Sequence, residues 1–382
     1  MASSSLVVVG PDGPRPFMRG ILVQSLVSRG LPFDVALETA NQVRDRIADR
    51  GTVEAGDLTK LIQDLLLDRY ELEDVERPFR DPPMVFVDSG KSQPFSKGML
   101  AASLQGAGLD PSDAFDVARE FETQLLREHR SAIDRVELRD LVRGTIERTH
   151  GSRAADRYTV WREAQQEGRP LFVLVGGSTG VGKTSIAVEV ARRLEIARVI
   201  GTDSIRQIMR LMFSDELMPE IHSSTYDAHE RLPAENSGLR DPVITGFREQ
   251  AQKIAVGVQA LLDRALEENT SMLIEGVNLL PGVVDLERYR DRAHVIFLIA
   301  ATLDTDEYRA RFVSRGSKQR ERSPDRYLEH ISEILTIQDY ILAEADHCGL
   351  PIIDNVQFDA AVLSAVRTVL ATLKKSLGTT VK

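Results

Sequence analysis

The sequence predicts an α/β protein in which a doubly wound parallel-sheet domain follows two small, mostly helical modules. Three observations carry that expectation. The run "LFVLVGGSTGVGKTS" at 171–185 joins an apolar strand through glycines to a helix start. Beyond it, short apolar runs alternate with helical stretches. Ahead of it, the chain repeats itself at a separation of 78 residues.

The repeat comes first in chain order. "RPFMRGILVQSLVSRGL" (15–31) aligns without a gap on "QPFSKGMLAASLQGAGL" (93–109). Ten identities fall in 25 positions, among them Pro16/Pro94, Gly20/Gly98, Leu26/Leu104 and Ala36/Ala114. Composition alone would give about one or two. A short β-prone run precedes each copy, at 6–9 and 85–87, and helical periodicity follows. Each copy therefore reads as a strand-plus-helices module, residues 1–80 and 81–150. Neither module holds paired acids, a nucleophile or a phosphate loop, so the expected role is oligomerisation or domain packing. Residues 151–169 lose apolar periodicity and read as a linker, with Trp161 anchored against a neighbouring domain.

Residues 170–382 form the third region. "ARVIGTD" (197–203), "SMLIEG" (271–276), "HVIFLIAA" (294–301) and "LPIIDN" (350–355) are short apolar runs separated by helical stretches. Such alternation builds a parallel sheet whose ligands sit at the carboxyl ends of its strands. The chemistry-bearing residues stand at those ends.

Gly177, Ser178, Thr179, Gly180, Val181, Gly182, Lys183, Thr184 and Ser185 satisfy G-x-x-x-x-G-K-[ST] between a strand and a helix, which makes this a phosphate loop. Glycines let backbone amides close around phosphate oxygens, and the helix presents its positive end to them. The expected ligand is a nucleoside triphosphate, with Lys183 on the β- and γ-phosphates and the Thr184 hydroxyl on Mg²⁺. Asp203 follows the next strand, as a base for an acceptor hydroxyl, an outer Mg²⁺ ligand, or a helix N-cap. Glu275 closes "MLIE" as a second carboxylate, at the metal or in a structural bond. The segment 309–322 carries six basic residues and one acid, with Arg311, Arg315, Lys318 and Arg322 on one helical stripe. Like charges so stacked repel unless an anion lies among them, so a catalytic lid over the transferring phosphate is expected. Arg206, Arg210 and Arg248 are candidates for the acceptor's charge, and Ser223, Ser224 and Tyr226 for its hydroxyls. His222 and His229 lack metal-ligand spacing, so no metal beyond Mg²⁺ is expected.

Bulk properties narrow the class further. A net charge of -10 argues against nucleic-acid or anionic-membrane partners, which need an extended basic surface. Cys348 is the sole cysteine, which excludes an internal disulfide. It is expected to be a small buried residue near a helix end. No apolar run reaches a membrane span, and "MASSSLVVVG" lacks signal-peptide character, so a cytoplasmic protein is expected.

In order along the chain, "PFSKGMLAASL", "GGSTGVGKTSIA", "VIGTDSIRQIMR", "LIEGVNLLPG" and "RYLEHISEI" resemble the 2-phosphoglycerate kinase family over about residues 85–358. The resemblance implies a P-loop small-molecule kinase that uses ATP to phosphorylate the 3-hydroxyl of 2-phosphoglycerate, giving 2,3-bisphosphoglycerate. The front modules resemble the ATP-cone, a nucleotide-binding regulatory module, but lack the Lys-Arg pair that generally follows its first strand. Plant low-phytic-acid proteins share the kinase domain, so an inositol phosphate is an alternative acceptor. A nucleotide-sensing regulatory protein is the rival from another class.

Overall fold

A computed structural model describes the chain except residues 1–5, 11–12, 29–30, 49, 68–83, 88–90, 129–131, 233–240, 305–306, 309–323 and 381–382. The described residues divide into two compact units, Met1–Met84 and Val85–Lys382.

In the first unit, β1 (Val7–Gly10) and β2 (Gly13–Pro16) form an antiparallel hairpin, and helices α1 (Arg19–Ser28) and α2 (Phe33–Ile47) follow. Strand β3 (Thr52–Glu54) joins β1 in parallel, and α3 (Ala55–Leu67) ends the module. Leu26, Ala36, Ala40, Val43 and Ile47 are essentially unexposed in a core of its own.

The order recurs in the second unit: β4 (Met84–Val87), β5 (Lys91–Pro94), α4 (Lys97–Gly106), α5 (Pro111–Arg127), β6 (Ala132–Asp134) and α6 (Arg135–His150). Leu104, Ala114, Ala118, Phe121 and Leu125, each 78 residues on, are the buried counterparts. The duplicated pattern is thus a duplicated core. Here, however, that core is continuous with the larger sheet domain.

Helix α7 (Ser152–Glu167) makes the junction and corrects the expected linker. Its buried stripe is Ala154, Ala155, Tyr158, Trp161 and Ala164, and the small alanines are why the apolar periodicity looked broken. Trp161 packs so tightly on α4 that a Cβ on Gly106 would lie 2.7 Å from its indole nitrogen. Arg157 Nε donates to Ala107 O at 3.4 Å, closing the same seam.

The sheet domain holds β7 (Leu171–Gly176), α8 (Lys183–Arg193), β8 (Arg198–Gly201), α9 (Thr202–Met212), α10 (Pro242–Glu267), β9 (Met272–Glu275), β10 (His294–Ala301), α11 (Pro324–Glu329), α12 (Ile331–His347), β11 (Ile352–Asp354) and α13 (Phe358–Thr380). The strands are parallel, in the order β11-β10-β7-β9-β8. Phe172, Val173, Leu174, Leu273 and Ile274 are all 0 % exposed, the continuous apolar run of strands covered on both faces. The first strand of the domain therefore sits centrally, and its carboxyl end opens between the ends of β9 and β10.

Cys348 caps α12 and is exposed, not buried as expected, because the chain turns there at Gly349 instead of entering the core. Among the described residues, no helix is long and apolar enough to cross a membrane.

Candidate active site

The phosphate loop is shaped by close approaches that only glycine permits. Gly177 has φ 138°, and a Cβ there would lie 2.1 Å from Ala300 O; Gly182 has φ 87° and caps α8. Lys183 starts the helix, is 9 % exposed, and donates from Nζ to Ser178 O at 2.7 Å. Its ammonium is thereby folded back over the loop, beside the amides that would face phosphate oxygens.

Two side chains from elsewhere hold carbonyls of the loop. Asn355 Nδ2, just past β11, donates to Val181 O at 2.8 Å, and Tyr308 Oη donates to Thr179 O. In the opposite sense, the loop's own Ser178 Oγ donates to Ile334 O of α12 at 3.0 Å. With Thr179 O and Val181 O turned to these partners, the loop leaves amides for a ligand. Sequence reading missed Asn355 and Tyr308. The available signal was that Asn355 ends a strand run, where ligand sites gather.

The two acids occupy adjacent strand ends. Glu275 pairs in register with Val175 on one side and Gly201 on the other. Its Oε1 accepts from Thr184 Oγ1 at 2.9 Å, which joins the candidate metal hydroxyl to a carboxylate. Asp203 lies in the first turn of α9, where Gly201 is the cap and no side chain caps the helix. The carboxylate instead accepts from Arg206 Nη2 at 3.1 Å and is 60 % exposed at the mouth.

Arg206 is the best-held cation there. Its Nη1 donates to Ser223 O at 2.5 Å, while its Nε is buried without a hydrogen-bond partner. Ser223 O in turn accepts from Gln250 Nε2 at 3.2 Å, and Gln250 also bonds Glu220 O, Thr225 and Asn278. That buried network, unseen from the sequence, holds the carbonyl to which Arg206 donates.

Other candidates stand differently. Arg210 is exposed on α9, one turn past Arg206. Arg248 donates to Tyr340 Oη with its guanidinium 6.0 Å from that ring's centroid, in a cavity of about 240 Å³ also lined by Asp241 and Glu344. Tyr226 is 6 % exposed and stacks on His330 at 5.0 Å, as part of a packed cluster. Arg311, Arg315, Lys318 and Arg322 lie outside the described residues.

A glycine-bent strand–loop–helix cradle with acids at the ends of the next two strands on one side, β9 and β8, defines a P-loop nucleotide-dependent kinase fold. A family model described as an AAA domain matches residues 173–332. The 2-phosphoglycerate kinase of Pyrococcus furiosus is 35% identical over 277 residues, spanning 72% of this chain and 89% of that protein. That of Thermococcus kodakarensis is 36% identical over 284 residues, 74% and 94% of the two chains. The Methanothermobacter thermautotrophicus enzyme is 36% identical over 292 residues, 75% and 94%. The chain belongs to the 2-phosphoglycerate kinase family.

Proposed function

We infer that this protein transfers the γ-phosphoryl group of Mg-ATP to the 3-hydroxyl of 2-phosphoglycerate. The observation that carries the transfer chemistry is the Lys183–Thr184–Glu275 constellation at the end of the central strand, with Asp203 and Arg206 paired on the helix that follows β8. Family membership supports the choice of acceptor.

The donor set suits Mg²⁺. Among the described residues no group of three or more His, Cys, Asp or Glu could hold a metal ion, and Mg²⁺ is the ion that needs few protein ligands because it keeps waters and phosphate oxygens. Thr184 would hold it, with Glu275 fixing the hydroxyl; when bound, the ion neutralises charge on the phosphates. Lys183 and the loop amides hold the β- and γ-phosphates in line. Asp203, exposed at the mouth, takes the proton from the acceptor hydroxyl. Arg206 is held at the mouth so that its guanidinium can pair with the acceptor's own phosphate. In a chain of net charge -10, such a local cation is what an anionic acceptor requires. The Arg311–Arg315 stripe is proposed to close over the transferring group.

The expected setting is the cytoplasm. The second module's shared core supports a packing role for it, and the first, which has its own core, is proposed to serve oligomerisation. ADP release measured across 2-phosphoglycerate, 3-phosphoglycerate, glycerate and inositol phosphates tests the acceptor. Stimulation by 2-phosphoglycerate above the others is expected. Stimulation by inositol phosphates alone would move the reading to that acceptor, and none by any would favour a nucleotide sensor.

A further inference from the structure

The acceptor inferred above carries two anionic groups, a phosphate and a carboxylate, and Arg206 answers only the first. A carboxylate that gives up water on binding must regain hydrogen bonds from the protein. Two arginines suggested by the sequence are committed elsewhere. Arg210 is exposed and bonds Gln207 Oε1 at 3.4 Å, and Arg248 shares its cavity with Asp241 and Glu344.

His330, between α11 and α12, is placed for the task. Its carbonyl accepts from Ile334 N at 3.1 Å, and Ile334 O accepts from Ser178 Oγ of the phosphate loop at 3.0 Å. On its other side the imidazole stacks on Tyr226, with ring centroids 5.0 Å apart and planes 28° from parallel. Its Nδ1 lies 3.4 Å from Asp227 Oδ1. Asp227 N donates to Ser224 O at 3.0 Å, and the neighbouring Ser223 O is the carbonyl that holds Arg206. His330 thus stands a few bonded contacts from the phosphate loop in one direction and from Arg206 in the other.

The ring is backed on one edge and open on the other. Tyr226 and Asp227 are both buried, so the stack and the carboxylate make a fixed backing. The His330 side chain is itself 26 % exposed, and among the described residues its Nε2 has no partner. The neighbouring histidines differ, since His222 Nε2 is bonded to Phe213 O at 2.9 Å and His229 Nδ1 to Tyr226 O at 3.0 Å. Both nitrogens of an imidazolium donate, so Nδ1 can face Asp227 while Nε2 meets a second carboxylate.

We propose that His330 selects the acceptor by its carboxylate, donating from Nε2 to that group while Arg206 pairs with the phosphate. The proposal rests on 2-phosphoglycerate being the acceptor. Two cations on separate elements, α9 and the α11–α12 junction, then read the spacing between two anionic groups. A site so built accepts one phosphorylated acid and discriminates against compounds that lack either group.

Glycerol 2-phosphate supplies the test, because it keeps the phosphate and a hydroxyl on the next carbon but has no carboxylate. His330→Asn retains a donor near the Nδ1 position and removes Nε2. In steady-state assays on the full-length protein, KM is measured for 2-phosphoglycerate and for ATP, and Ki for glycerol 2-phosphate as a competitor of 2-phosphoglycerate. The substitution is expected to raise KM for 2-phosphoglycerate about 30-fold, the worth of one hydrogen bond to a charged group. Ki for glycerol 2-phosphate and KM for ATP should stay within about twofold of the parent. An unchanged KM for 2-phosphoglycerate would overturn the proposal and leave the acceptor reading intact. So would an equal rise in KM and Ki, which would assign His330 to the phosphate or to the fold. A parent that turns over no 2-phosphoglycerate would sink the acceptor reading, and the carboxylate assignment with it.

Discussion

Asn355 offers the sharpest perturbation of the phosphate loop, because it touches neither the proposed nucleotide nor the acceptor. It is 5 % exposed, and its Nδ2 reaches Val181 O at 2.8 Å, beside a valine that is wholly buried. Asn355→Leu keeps the volume but leaves that carbonyl buried and unpaired. An unsatisfied buried acceptor costs about 1–3 kcal/mol. A cost of that size falling wholly on the binding-competent loop would weaken ATP by about 5- to 150-fold. The leucine also meets Gly182, whose hypothetical Cβ already lies 2.5 Å from the Asn355 amide nitrogen. We therefore expect about tenfold weaker ATP by isothermal titration, together with a lower melting temperature. An ATP affinity within about twofold of the parent, at unchanged melting temperature, would refute the bracing argument.

Three further outcomes follow from the site and its surroundings. Asp203→Asn should cut kcat far more than ATP affinity, since the carboxylate acts on the reacting hydroxyl; equal losses in steady-state kinetics and ATP binding would contradict that role. Glu189 is held down to about 2 from 4.5, first by Arg192, whose bonds outweigh the opposing effect of burial, and then by Arg193. A lowered carboxylate contributes stability above its unfolded value and loses it as the pH falls towards the folded one. The unfolding free energy from urea titrations should thus fall more steeply in the parent than in Glu189→Gln between about pH 4.5 and 2, by at most about 3 kcal/mol; parallel curves would contradict the assignment. Arg311→Ala and Arg315→Ala should each lower the transfer rate by about two orders of magnitude or more, and near-normal rates at low salt would make the stripe ordinary surface.

The legible part of this protein is the part that backbone chemistry dictates. Gly177, Gly182 and Lys183 were readable because a phosphate loop needs glycine where a Cβ would strike Ala300 O or Asn355. Asp203 and Glu275 were readable because parallel strands deliver ligands to their carboxyl ends. Repeated cores were readable because Leu26 and Leu104, or Ala36 and Ala114, occupy the same buried register. What escaped depends on distant segments meeting. Nothing local in Asn355, Tyr308 or Gln250 says which carbonyl each will satisfy. Helix α7 escaped because its buried stripe is largely alanine, and Cys348 was misplaced because a helix end can turn outward as easily as in.

The most direct test of the account is the product itself. Full-length protein is incubated with Mg-ATP and 2-phosphoglycerate, and the mixture is resolved by phosphorus NMR. The account predicts growth of two phosphomonoester resonances of one molecule, 2,3-bisphosphoglycerate, in step with ADP. ADP accompanied only by inorganic phosphate, with 2-phosphoglycerate unchanged, would contradict it.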